Sequence, residues 1–143
     1  MNDEERFDHY VKHGWCPVPW KHHPEPIKEA LRGMGWKPQL KQCFYNSQRF
    51  LVTARQMGLD LDLEYHEGYA QTLIPFEHAW LVYEGEVLDL TLPPDREPVY
   101  HDSLVFGYND IVEHMRETEM WAKVSGMADL WELHPLKDQF TSR

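Results

Sequence analysis

The sequence predicts an α+β fold. A helix carrying Cys43 at its N-terminus packs on a small antiparallel sheet of three to five strands, and extra helices follow at the C-terminus. Three observations lead there. From Cys43 to Met57, the residues Phe44, Ser47, Phe50, Leu51, Ala54 and Met57 recur at the three- and four-residue spacing of an amphipathic helix. Residues 61–91 then hold LDLEYHEGYA, EHAWLVY and EVLDLT, short runs rich in β-formers and bounded by Asp, Pro or Gly. Between the last two runs stands only Glu84-Gly85, a loop short enough for a tight hairpin.

In chain order, residues 5–13 suit a short helix. GWCPVPWKHHPEP, at 14–26, holds four prolines and is expected to be largely irregular, because proline fixes φ and lacks an amide donor. Residues 27–34 form a further short helix that GWKP ends. In the 43–57 helix Gly58 is a left-handed cap, with Leu59 placed to pack back. Lys41 and Gln42 are not preferred N-caps, so its start is less marked. Past PPDREP the chain extends through VYHDSLVFGY. A helix is predicted over 110–121 with Asn109 as cap and its acidic residues on a solvated face, and MADLWEL offers one more.

The bulk numbers bound the function. At 143 residues the chain has the size of one domain, and 42% hydrophobic with 13% aromatic residues supply a core. A formal net charge of -10 repels phosphate backbones and anionic lipid, which argues against nucleic-acid and membrane partners. No apolar stretch is long enough for a bilayer, and MNDEERFDHY is not a signal peptide, so a cytoplasmic protein is expected. Two cysteines, Cys16 and Cys43, are too few for a disulfide framework and lack zinc-ribbon spacing. Chemistry is the better reading for one of them. The sequence carries no signal of oligomeric state.

The hairpin places the chemistry. A two-residue loop at Glu84-Gly85 pairs Tyr83 with Glu86, Val82 with Val87, Leu81 with Leu88, Trp80 with Asp89 and His78 with Thr91. Directly opposed residues share a face, as do residues two apart on one strand. His78, Trp80, Asp89 and Thr91 then project together, and His78 reaches Asp89 diagonally. A carboxylate on one imidazole nitrogen fixes the tautomer and stabilises the imidazolium. Such a base needs a nucleophile, and Cys43 opens a helix whose N-terminus favours thiolate. An amide of that helix end can serve an oxyanion hole.

Cys43 at the head of a helix, His78-Ala79-Trp80 on a strand and Asp89-Leu90-Thr91 on the next together resemble the transglutaminase-like branch of the papain-like cysteine enzymes. Short phage and bacterial proteins look similar. The likeness covers roughly residues 39–92. It implies a papain-like core in which Cys43 is the nucleophile, His78 the general base and acid, and Asp89 its orienter. The papain branch adds an oxyanion-hole glutamine about six residues before the cysteine. That offset falls on Lys37, with Gln39 and Gln42 as nearby substitutes. The chain is far shorter than animal transglutaminases or arylamine acetyltransferases, which leaves little room for a calcium site or a coenzyme A cleft, so no cofactor is expected.

The expected function is thiol-dependent acyl transfer or amide hydrolysis through a thioester, on a protein, peptide or small amide substrate. The alternative is a non-catalytic binding protein that keeps the fold and sequesters a protein or small-molecule partner. Trp80 is expected in the core or at the cleft. Glu67 is expected either at the cleft or as a solvent-facing or ion-paired glutamate. His9, His13 and Cys16, with His22 or His23, have spacing that suits zinc, against the plainer reading of a His-rich surface segment, and no metal is assigned to them.

Overall fold

The computed structural model describes residues 2–138. They form a mixed α+β architecture of five α-helices and one four-stranded antiparallel sheet. The helices are α1 (Asp3–Lys12), α2 (Glu25–Met34), α3 (Cys43–Gln56), α4 (Tyr108–Thr118) and α5 (Met127–Trp131). The strands are β1 (Leu63–Gln71), β2 (Pro75–Tyr83), β3 (Glu86–Leu88) and β4 (Val99–Phe106), in the spatial order β3-β2-β1-β4.

α3 is the central helix. Its Phe50, Leu51 and Val52 join Tyr65, Ala79, Leu81, Leu88 and Leu90 from the sheet side in one buried cluster. Its end closes as the sequence predicts. Gly58 takes φ 73°, its amide donates to the Arg55 carbonyl, and the Leu59 amide donates to the Ala54 carbonyl. These two bonds make a Schellman motif, and Leu59 packs on the core. α2 starts two residues earlier than predicted, at Glu25, because Pro24 and Pro26 suit a helix entrance, where a missing amide is harmless. Residues 14–24 are irregular as expected, apart from a 3₁₀ turn at Trp20–His22, whereas Glu25 and Pro26 belong to α2. The irregular stretch is nevertheless well packed, since Cys16, Val18, Trp20 and His23 are buried.

The hairpin has the expected register, with Tyr83 opposite Glu86, Val82 opposite Val87 and Leu81 opposite Leu88. Glu84 and Gly85 take φ 50° and 83°, the paired positive values of a type I′ turn. The ladder stops at Leu88, however, short of the expected run to Thr91. The reason is local. The Asp89 carboxylate accepts from the amides of Thr91 and Leu92, at 2.8 and 2.9 Å. That turn withdraws both amides from strand pairing.

β4 lies on the far side of β1, not beside the hairpin. It runs so close that a Cβ on Gly68 would meet the Asp102 carbonyl oxygen at 2.6 Å, and the register shifts between Gly68 and Ala70. α4 begins at Tyr108 with Gly107 as cap, in place of Asn109, because the Asp110 carboxylate reaches back to the Gly107 amide at 2.9 Å. It ends at Thr118, short of Trp121. No helix of the described residues is long and apolar enough to cross a membrane.

Candidate active site

The site is assembled from the N-terminus of α3, the middle of β2 and the turn after β3. Cys43 is the first residue of α3, and Gln42 precedes it with no side-chain cap. The unpaired amides of a first helical turn therefore stay open at the thiol. Cys43 is half-buried, and it lines a cavity of about 380 Å³ together with His78.

His78 is 4% exposed, and its Nε2 lies 2.7 Å from Asp89 Oδ2. Burial opposes a charge on this imidazole. The hydrogen bond to Asp89, the proximity of Cys43 and the Asp89 charge outweigh burial and raise the pKa to about 9. With Nε2 held by Asp89, Nδ1 is the nitrogen left to exchange a proton.

Asp89 itself is held at four points. Oδ1 accepts from the Thr91 and Leu92 amides, and Oδ2 accepts from the Tyr100 hydroxyl at 2.7 Å as well as engaging His78. Sequence reasoning missed Tyr100, which lies on β4, two strands from the histidine in sheet order. The Tyr100 hydroxyl is pushed well above its ordinary range by burial and then by the adjacent Asp89, so it remains a donor.

A second buried side chain joins the two halves of the site. Asn46 stands one helical turn after Cys43. Its Nδ2 donates to the Gln39 carbonyl and to Thr91 Oγ1, both at 2.8 Å, and its Oδ1 accepts from the Gln39 amide at 2.8 Å. The loop entering α3 is thus tied to the turn that holds Asp89. Nothing in the helical pattern set Asn46 apart from an ordinary first-turn residue, although its complete burial does.

The structure sends the remaining sequence candidates elsewhere. Gln39 and Gln42 are exposed, and neither lines the Cys43 cavity. Gln39 enters the site through its backbone alone, because Asn46 captures its peptide groups. Trp80 is core. Its ring lies nearly parallel between His66 and His78, with centroids 6.0 and 6.1 Å away. Glu67 is neither at the cleft nor in solvent. It is fully buried and accepts from Tyr65, Val124 and Ser125, so it clasps the C-terminal segment onto β1.

The second cysteine makes a contrast. Cys16 is 2% exposed, and burial pushes its thiol up to about 11, with Lys37 offsetting part of the shift. Among the described residues no group of three or more His, Cys, Asp or Glu side chains is arranged to hold a metal ion. His13 instead stacks on Trp15, while His9 packs tilted against His13 and edge-on to Trp15. A cavity of about 420 Å³ touches Asp89 and Tyr100 from another side, but neither Cys43 nor His78 lines it. Compared with family models, with curated proteins and with solved structures, the chain has no match.

Proposed function

We propose that this protein is a thiol-dependent acyltransferase or amidase of transglutaminase-like or papain-like type, working through Cys43, His78 and Asp89. The observation that carries the reading is the His78 imidazole. It is buried, bonded to a fully engaged carboxylate, raised to about 9, and lines the same cavity as Cys43. An imidazole so raised is protonated at neutral pH and holds the proton that a leaving amine or alcohol needs.

In the reaction, Cys43 Sγ attacks the carbonyl carbon of an amide or ester. The carbonyl electrons move onto oxygen, and the open first-turn amides of α3 are the available donors to that oxyanion. The tetrahedral intermediate collapses, His78 gives its proton to the leaving amine or alcohol, and a thioester remains. Water or a second amine then attacks the thioester, losing its proton to His78. Hydrolysis or amine transfer follows according to which nucleophile enters.

The test is site-resolved alkylation. At pH 7 iodoacetamide is expected to modify Cys43 at least about tenfold faster than it modifies glutathione, and to leave Cys16 unmodified. Cys43→Ala is expected to fold normally and to lose all turnover of activated esters. An alkylation rate equal to that of glutathione, or ester turnover retained by Cys43→Ala, rules the reading out.

A further inference from the structure

The chain carries a strong negative excess, yet the walls around Cys43 are not negative. Lys41 and Arg96 line the same cavity as Cys43 and His78. They arrive from separate segments: Lys41 stands two residues before the nucleophile, and Arg96 ends a 3₁₀ turn at Pro94–Arg96. Neither side chain has a hydrogen bond or ion pair among the described residues, so both cationic heads are free to meet a ligand. Glu77 is the only acidic residue among the described lining residues, and Lys123 already engages it at 3.2 Å. Asp95 and Glu97 flank Arg96 in sequence but do not line this cavity.

The backbone at Lys41 forms part of the turn that leads into α3. It takes φ 59°, a left-handed conformation that a residue with a long side chain adopts at an energetic cost. The rest of the lining includes the apolar Leu40, Phe76 and Leu92. A cavity of this kind takes an acyl chain with an apolar stem and an anionic end.

Resting on the acyl-transfer reading of Cys43, we infer that the acyl donor is carboxylate-bearing, with Lys41 and Arg96 as the residues that select it. Two cations lining the cavity of the thiol, in a molecule of net negative charge, concentrate anions locally and repel cationic competitors. A carboxylate placed between them would also hold the reacting carbonyl against Sγ.

The experiment compares two reagents that differ by this charge alone. Iodoacetate and iodoacetamide both alkylate a thiolate with loss of iodide, but only iodoacetate carries a carboxylate. Rates at Cys43 are read by site-resolved mass spectrometry at pH 7 and low salt, with glutathione as reference. The expected iodoacetate-to-iodoacetamide ratio is roughly fivefold or more above that of glutathione. It falls to near the glutathione value in Lys41→Gln/Arg96→Gln, with each single variant in between, and it shrinks in 0.5 M salt. A wild-type ratio no higher than that of glutathione overturns the inference, as does a ratio unaltered in the double variant. Slow reaction with iodoacetamide itself is a separate result, because it overturns the acyl-transfer reading whatever the ratio.

Discussion

Tyr100 donates its hydroxyl hydrogen to the same Asp89 oxygen that engages His78, both at 2.7 Å. One carboxylate oxygen is therefore shared by a ring that titrates and a ring that does not, while the other oxygen is fixed by two backbone amides. The two residues have separable tasks. Asp89 supplies the charge that holds up the imidazolium, and Tyr100 supplies direction.

That separation is testable by following the His78 ring through a pH titration by NMR. The wild-type midpoint is expected near 9. Asp89→Asn is expected to bring it down towards 6.5, because burial then acts with less to oppose it. Tyr100→Phe is expected to leave the midpoint near 9 and to slow Cys43 alkylation by about fivefold, the worth of roughly one hydrogen bond. A midpoint that collapses in Tyr100→Phe would assign the charge role to the tyrosine.

Cys43→Ala offers a companion measurement on the same ring. Cys43 contributes, after Asp89, to the raised His78 pKa. Its removal is expected to lower the midpoint by less than Asp89→Asn does, since Asp89 is the larger contributor. An unmoved midpoint would show that sulfur and imidazole do not interact in solution.

Stability should peak near pH 6.5, with two histidines setting the slopes. The folded-state pKa of His78 is raised to about 9, so its contribution is complete below 6.5 and is lost as pH rises through 9. His23 behaves oppositely. Burial, then the nearby charges of His22 and Lys28, lower it to about 4. Its neutral form is required by the fold, so stability is complete above 6.5 and is lost as pH falls towards 4. A shift of that size corresponds to at most about 3 kcal/mol. Urea midpoints at pH 4.5, 6.5 and 8.5 check this, and His23→Leu is expected to flatten the acid side only.

Asn46→Ala is expected to destabilise the protein by about 2 kcal/mol or more, since it strands the Gln39 peptide groups and the Thr91 hydroxyl. It should also slow Cys43 alkylation, because the entry loop of α3 and the Asp89 turn lose their common tie. Thermal unfolding and alkylation measured on the same sample would check both effects. Normal stability combined with normal alkylation would mean that the tie is dispensable.

Glu67→Gln probes the opposite face of β1. Glutamine keeps one oxygen where the carboxylate uses two, so one of the bonds from Tyr65, Val124 and Ser125 is lost. A loss of about 1–3 kcal/mol is expected, with faster hydrogen exchange at the Val124 and Ser125 amides and no change in Cys43 reactivity. Slowed alkylation would return Glu67 to the cleft.

Legibility differed from residue to residue for physical reasons. α3 and the β2–β3 hairpin could be read directly, because a 3.6-residue period, a Gly58-Leu59 terminator and a two-residue loop are signals carried by neighbours in sequence. Gln39 and Gln42 suggested themselves by closeness to Cys43, but the left-handed turn at Lys41 and the grip of Asn46 decide which side chains face the cavity. Glu67 alternates in the strand pattern like any polar strand residue, and only the docking of the C-terminal segment made it a buried acceptor. Tyr100 belongs to a strand whose pairing partner is β1, so no pattern in its own segment links it to Asp89.

By itself the sequence determined the elements that local periodicity encodes and the pairing of Leu81, Val82 and Tyr83 across the hairpin. Only the tertiary structure decided that β3 stops so that Asp89 can turn its carboxylate onto backbone amides, that Tyr100 bonds Asp89 and Asn46 bonds Thr91, and that Lys41 and Arg96 line the cavity of Cys43 without an ion partner among the described residues. The physical reason is range. Helical and strand periods are written between near neighbours. The hydrogen bonds and charges that equip this site join segments brought together by burying one core, and no local rule records who will meet there.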